Sequence, residues 1–343
     1  MSDTTKLPVE TIVKDVLHAI PKEREQEIVS RRFGLFDRKE TLEQIGELLG
    51  ITRERVRQLE KAIINSLKAQ AEKGTVPHIE KVQDTFVAAL KQTGDAACVA
   101  DLAAAVADKE GKYTQSQVSF LAQLCPKLTV VDENDHYNQS VCLRDQHDEK
   151  SVRKAVEHII ATIKELGKPA TIEQIAKAAK LDSVPQTEAL ARTSKDLATL
   201  NGKWGLIKWP TVNPKNIRDK IFVILQEKGS YMHFNEIAEA IKDSDFKRKN
   251  VTTQAIHNEL IKDKRFVLIG RGLYALKEWG YKKGTVSDII VEVLSKSGKP
   301  MHRDEIVREV LKSRHVKETT ILLNLQSKPQ FKRVAKATYT LAD

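Results

Sequence analysis

The sequence predicts a mostly α-helical protein, with an N-terminal helix-turn-helix domain followed by four tandem winged-helix domains of three helices and a small β-hairpin each. Three observations lead to this expectation. Aromatic residues make up 5% of the 343 residues and glycines number 15, a composition typical of helical domains rather than of β-sandwiches or barrels. Residues 41–67 contain a helix-turn-helix pattern, and a glycine-centred helical repeat recurs in the rest of the chain.

Composition and charge exclude several classes of protein. The sequence contains no run of about 18 apolar residues and no apolar N-terminal stretch, so we expect neither a membrane protein nor a secreted one. The three cysteines form no CxxC pair, which argues against disulfides and zinc ribbons. We therefore expect a cytoplasmic, nucleoid-associated protein. Its 57 basic and 47 acidic side chains give a net charge of +10, which favours a polyanionic partner.

The repeat has an aliphatic residue four positions before a glycine and another eight positions after it. Its glycines are Gly94, Gly167, Gly229 and Gly298. Glycine readily adopts the left-handed conformation that ends a helix, so each copy predicts two helices joined by a turn. In the third copy a further helical stretch, 253–262, and two β-like runs follow, which is the element order of a winged helix. A helical solenoid is the alternative, and it accounts less well for a hairpin in each copy.

These patterns divide the chain into five predicted domains. Their bounds are 1–78, 79–148, 149–213, 214–281 and 282–343. The second domain holds 6 basic and 11 acidic side chains and so carries a net charge of −5, whereas the positive balance lies in the C-terminal half. The acidic domain is a poor candidate for phosphate contact and favours a protein partner.

The helix-turn-helix motif has recognisable start and stop signals. Thr41 followed by Gln44 predicts a capping box, Gly50 predicts the end of the first helix, and Thr52 predicts the cap of the second. The second helix has a predicted buried stripe at helical spacing: Val56, Leu59, Ile63 and Leu67. Two helices joined by so short a turn form a helix-turn-helix.

The face opposite that stripe carries side chains suited to DNA. Arg53, Arg57 and Lys61 recur at every fourth position and form a basic row beside Glu54 and Gln58. In a major groove, Arg pairs with guanine, Gln with adenine, and Glu accepts a hydrogen bond from cytosine. The alternative is a solvated helix face stabilised by Glu–Arg pairs.

The segment around this motif resembles region 4 of the bacterial primary sigma factors. The blocks PKERE, RRFGL, TLEQIG and TRERVRQLEKA carry the resemblance, within about residues 9–72. In that family the region recognises the promoter −35 element and docks on the flap of the RNA polymerase β subunit. Nothing elsewhere in the sequence resembles the region that melts the −10 element, so we do not expect a complete sigma factor.

The resemblance implies two sets of DNA contacts. The base-reading side chains are Arg53, Glu54 and Gln58. The phosphate contacts are Arg32, Thr41, Leu42 through its backbone, and Arg57, to which the basic row adds Lys61.

Residues 214–281 resemble the HARE-HTH domain, a winged helix also found in the RNA polymerase delta subunit, and residues 282–343 resemble it more weakly. The blocks HFNEIA and GRGLYAL carry this resemblance. The predicted wing places Arg271 between two glycines, where it can contact a phosphate or a minor groove. A basic run before the third helix is a further candidate for backbone contact: Lys247, Arg248 and Lys249. For both, solvated side chains are the alternative.

The sequence predicts a binding protein rather than an enzyme. We find no phosphate-binding glycine loop, no metal-ligand spacing and no tuned acid–base pair, and we expect no cofactor, metal or small-molecule substrate. The leading hypothesis is a sequence-specific transcription factor that acts on duplex DNA at promoters together with RNA polymerase core. The alternatives are a polymerase accessory subunit with little specific DNA binding and a nucleoid or DNA-repair scaffold.

Overall fold

The computed structural model describes residues 6–145, 148–246, 248 and 250–342. It is mostly α-helical with small antiparallel sheets, which confirms the predicted fold class. The chain forms two compact bodies, Met1–Lys208 and Trp209–Asp343, called here the N-terminal and C-terminal bodies. The five-domain division remains a prediction.

The N-terminal body begins with four helices, α1 Val9–His18, α2 Glu23–Phe33, α3 Leu42–Leu49 and α4 Arg53–Glu72. Helices α3 and α4 form the predicted helix-turn-helix. Thr41 and Gln44 form the predicted capping box, and Thr52 caps α4 through its side chain. Gly50 ends α3 in the left-handed conformation, with φ of 64°. The lack of a side chain at Gly46 allows the turn after α3 to pass close to that helix, because an added Cβ would lie 2.7 Å from the carbonyl oxygen of Ile51.

Two repeats with the element order of a winged helix complete this body. The first repeat consists of α5 Ile79–Thr93, β1 Ala96–Cys98, α6 Val99–Val106, α7 Thr114–Leu124, β2 Leu128–Val131 and β3 Ser140–Leu143. The second consists of α8 Glu149–Leu166, β4 Ala170–Thr171, α9 Ile172–Ala178, α10 Val184–Thr193, β5 Leu197–Leu200 and β6 Lys203–Leu206. Their antiparallel sheets have the orders β1-β3-β2 and β4-β6-β5.

The C-terminal body contains the third and fourth repeats. The third consists of α11 Ile217–Lys228, β7 Met232–His233, α12 Phe234–Asp243, α13 Thr253–Lys262, β8 Phe266–Gly270 and β9 Leu273–Leu276. The fourth consists of α14 Val286–Ser297, β10 Met301–His302, α15 Arg303–Ser313, α16 Glu318–Ser327, β11 Phe331–Ala335 and β12 Thr338–Leu341. Their sheets have the orders β7-β9-β8 and β10-β12-β11.

The four repeat glycines lie where the sequence predicts helix ends, and each predicted hairpin is present but gains a strand that the sequence did not predict. All four glycines have positive φ at the end of the first helix of their repeat. Each repeat then has a third, short strand before its second helix, so every sheet named above is three-stranded. Such strands are two or three residues long, too short to show the alternating pattern by which a strand is recognised in a sequence.

One hydrophobic core joins the helix-turn-helix to the first repeat, across the predicted boundary near residue 79. The cluster of buried side chains runs from Leu7 to Leu143. The amide of Leu7 donates to the carbonyl oxygen of Val106 at 2.8 Å. The Gln117 side-chain amide donates to the carbonyl oxygen of Leu35 at 2.9 Å. Apart from a small cluster formed by Ile28, Ile45 and Val56, the core of residues 1–78 is therefore continuous with that of the first repeat.

The wing of each repeat is the hairpin formed by its last two strands, and the wing of the first repeat is docked on the second repeat. Its loop, residues 132–139, runs beside residues 193–196. The amide of Asn138 donates to the carbonyl oxygen of Thr193 at 2.8 Å. Lys195 forms an ion pair with Glu133 at 2.6 Å.

Candidate nucleic-acid interface

Helix α4 places the predicted base-reading side chains in solvent. Its buried stripe, which includes Val56, Ile63 and Leu67, packs against the other helices. On the remaining surface the predicted DNA-contacting side chains are all exposed: Arg53, Glu54, Arg57, Gln58 and Lys61. The structure therefore brings the basic row and the two hydrogen-bonding side chains onto the accessible part of one helix.

In the free protein these side chains are paired with one another. Arg57 donates to both carboxylate oxygens of Glu54, at 2.9 and 2.7 Å, and the Gln58 amide donates to Glu54 at 3.4 Å. The hydrogen bond from Arg57 lowers the pKa of Glu54, and the same contact raises the pKa of Arg57. Both groups are thus charged at neutral pH. Because they are exposed, DNA can replace this pairing at little cost in desolvation.

Arg55 is an exposed cation on α4 that the sequence interpretation left out. Its guanidinium donates to the side-chain oxygen of Gln58 at 3.4 Å. It was missed because it lies outside the row of every fourth residue that links Arg53 to Lys61. The sequence signal that identifies Arg55 is its position three residues before Gln58, because side chains three positions apart on a helix are neighbours.

Arg32, a predicted phosphate contact, has a structural partner. Its Nε atom donates to Glu60 at 3.2 Å, which ties α2 to α4, and 29% of its side chain is exposed. It also lines a cleft of about 920 Å³ together with Lys39 and residues of the first two repeats. A phosphate contact by Arg32 therefore competes with the ion pair to Glu60 and stays a prediction.

The predicted phosphate contacts Thr41 and Leu42 lie at the start of α3. Thr41 is exposed at the N-cap, and Leu42 is the first helical residue, half-buried against the small helix-turn-helix core. Amide groups in the first turn of a helix have no intrahelical partner and attract anions. This arrangement is compatible with a backbone contact by Leu42.

The predicted wing contact of the third repeat lies at a tight turn. Arg271 is exposed between β8 and β9. The next residue, Gly272, has φ of 70°, and an added Cβ would lie 2.3 Å from the Nε2 atom of His233. The turn that presents Arg271 therefore depends on glycine.

The basic run before α13 is only partly described. Arg248 is exposed with φ of 55°, and its carbonyl oxygen accepts a hydrogen bond from Lys220 at 2.8 Å. Lys247 and Lys249 lie outside the described residues.

Residues 22–69 match the family model of sigma-70 region 4. Residues 217–279 match the model of the HARE-HTH domain, a helix-turn-helix domain whose description names ASXL proteins and restriction endonucleases. Both resemblances seen in the sequence are thereby confirmed. The first match contains α2, α3 and most of α4, and the second contains the third repeat.

Three relatives that match a part of this chain are RNA polymerase sigma factors. RNA polymerase sigma factor SigA of a Bacillus species is 44% identical over 57 residues, 16% of this chain and 15% of that protein. RNA polymerase sigma factor sigB of Arabidopsis thaliana is 48% identical over 46 residues, 13% and 8% of the two chains. RpoD of Helicobacter pylori is 38% identical over 71 residues, 20% and 10%. The chain thus spans at most 15% of the length of these relatives.

The matched families are DNA-binding domains, and they support a DNA-binding, transcription-related function. Neither is an enzyme family. In the described part of the chain, no group of three or more His, Cys, Asp or Glu side chains is arranged to hold a metal ion. Among the same residues, no helix has both the length and the apolar character needed to cross a bilayer.

Proposed function

We propose that this protein is a sequence-specific transcription factor that binds promoters through α4, which reads a −35-like element. The exposed set of Arg53, Glu54 and Gln58, on the second helix of a matched sigma region 4, carries the proposal. These three side chain types distinguish guanine, cytosine and adenine by their hydrogen bonds in the major groove. A helix-turn-helix places its second helix there.

The remaining contacts in this proposal position the protein rather than specify sequence. Arg57, Lys61 and the start of α3 bind phosphates on either side of the groove, and Arg32 joins them when it releases Glu60. RNA polymerase core, through its β flap, is the proposed protein partner, and the cell's nucleoid is the proposed location. Both follow from the resemblance to region 4.

Binding of the full-length chain to duplex DNA tests this function. We expect tighter binding to DNA with a −35-like hexamer than to a scrambled duplex. Arg53→Ala or Gln58→Ala should cost about 1–3 kcal/mol on the preferred site and relax base preference. Arg57→Ala should weaken all sequences alike, and Lys14→Ala, an exposed change on α1, should weaken none. Equal losses on every sequence for Arg53→Ala and Gln58→Ala would remove base reading from α4.

A polymerase accessory subunit is the second candidate, favoured by the acidic second domain. Residues 79–148 carry a net charge of −5, which opposes contact with DNA. Affinity purification from the native host, with and without nuclease, separates the two functions. Polymerase that stays bound after nuclease treatment, together with no preference for −35-like DNA, would favour the accessory subunit.

A further inference from the structure

The wing of the fourth repeat concentrates positive charge that the predicted DNA contacts do not include. Lys332, Arg333 and Lys336 lie on β11 and the turn after it, and all three are exposed. Between residues 319 and 342 the sequence contains no Asp or Glu. A local excess of positive charge of this kind attracts phosphate groups at long range.

These three cations are available without loss of a carboxylate partner among the described residues. Within the described residues none of them forms an ion pair, in contrast to Arg57, which is held by Glu54. The Arg333 side chain donates only to a nearby carbonyl oxygen, that of Ala335, at 3.1 Å. A phosphate that binds here therefore displaces water and counterions rather than a protein carboxylate.

The hairpin presents the cations on a supported ribbon. Phe331 and Tyr339 anchor its base in the core of the repeat, whereas the residues from Lys332 to Ala335 are exposed in succession. The Arg303 amide donates to the carbonyl oxygen of Ala337 at 2.8 Å and thereby ties the tip to the start of α15. The ribbon thus extends beyond the core at a defined position, which limits the entropy that the cations lose on binding.

Edge protection is a competing explanation for this charge. Strand β11 lies at the edge of its sheet. Lysines on an exposed edge strand hinder pairing with another chain, so they can be retained against aggregation alone. A test must therefore separate loss of DNA affinity from gain of self-association.

We propose that the wing of the fourth repeat binds the phosphate backbone of duplex DNA through Lys332, Arg333 and Lys336. This proposal rests on DNA binding as the function, but it does not require α4 to read bases. Each phosphate neutralised on B-DNA releases counterions and adds about −0.9 to the slope of log K against log salt. The wing should accordingly supply affinity without sequence preference.

The experiment compares two full-length variants of equal charge. The wing variant is K332Q/R333Q/K336Q, and the control is K242Q/K296Q/K312Q, three exposed lysines on helices of the same body. Both lower the net charge from +10 to +7. Affinity for a labelled random-sequence duplex is measured as a function of salt. The wing variant should show a slope shallower by about 2–3, binding weakened about 10²–10³-fold near 0.1 M salt, and convergence with the native protein near 1 M.

The outcomes distinguish this proposal from the proposed function. Equal slopes for the wing variant and the control would overturn the wing proposal, and aggregation of the wing variant alongside unchanged affinity would assign the cations to edge protection. The ratio of affinities for −35-like and scrambled DNA should stay unchanged in the wing variant. A native protein that shows no preference for −35-like DNA would refute base reading by α4. The wing proposal would still stand if the salt dependence of binding is shallower in the wing variant than in the native protein.

Discussion

The third helix of a repeat is buried on most sides in the first repeat, where it is α7. In the third repeat, where it is α13, the corresponding helix is largely accessible to solvent. Helix α7 buries residues around most of its circumference, among them Gln117, Phe120 and Leu124, because it packs between the helix-turn-helix and its own repeat. Helix α13 instead buries a single stripe, Ile256 and Leu260. The same supersecondary unit thus serves as internal packing in one body and leaves an accessible helix in the other.

The wings of the first and fourth repeats also differ in whether another part of the chain covers them. In the first repeat the wing loop carries Asp132, Glu133 and Asp135 and pairs with the second repeat, where Lys195 meets Glu133. In the fourth repeat the wing is basic and exposed. The sign of the charge follows the contact: Glu133 faces a lysine of the same chain, whereas the cations of the fourth wing remain available for an external polyanion.

Phe120→Ala is the substitution from which we expect the largest effect, and it tests whether α7 is a buried helix, in contrast to α13. The ring is fully buried and packs edge to face against Phe33, with centroids 5.1 Å apart. We expect the free energy of unfolding to fall by about 3–5 kcal/mol, measured by urea titration. Leu323→Ala, on the exposed face of α16, should change it by less than about 0.5 kcal/mol.

The shared core gives this variant a second readout. The helix-turn-helix and the first repeat should unfold in one transition, and DNA binding by α4 should be lost with it. A helix-turn-helix that still binds DNA after the first repeat has unfolded would contradict the single core.

Thiol reactivity measures how well the first repeat is closed to solvent, because the three cysteines all lie in that repeat. Burial raises the pKa of the Cys125 and Cys142 thiols from 9.0 to about 12. A raised pKa disfavours the thiolate, so at pH 8 the reactive fraction falls about 10³-fold relative to an ordinary thiol. Labelling by a disulfide reagent should therefore be suppressed in the native state and appear as the N-terminal body unfolds. Rapid labelling of these two thiols without unfolding would show that the core is open.

The two wing turns of the C-terminal body should respond in opposite directions. Gly272→Ala places a Cβ against His233 at positive φ and should destabilise by about 1–3 kcal/mol. Ala337 occupies the corresponding turn of the fourth repeat with φ of 56°. Ala337→Gly removes that strain but increases the entropy of the unfolded chain, so we expect a gain of about 0.5–1 kcal/mol. Thermal unfolding measures both, and shifts of equal sign would show that the turns are not equivalent.

Much of the candidate site could be predicted from the sequence because its determinants are local. The capping box of Thr41 and Gln44, the left-handed Gly50 and the stripe from Val56 to Leu67 all depend on residues within a few positions of one another. The wing cations of the fourth repeat were equally visible in the sequence. Their importance was not, because exposure and the absence of ion pairs among the described residues are properties of the folded chain.

The sequence by itself determined the two helices of the helix-turn-helix, their caps and the exposed face of α4, since hydrogen bonding within a turn and helical periodicity act over a few residues. Tertiary structure decided which helices stay accessible. The hydrogen bond from Gln117 to Leu35 joins residues 82 positions apart, and it encloses α7 against the helix-turn-helix. The extent to which each of these helices is buried depends on the surface that packs against it.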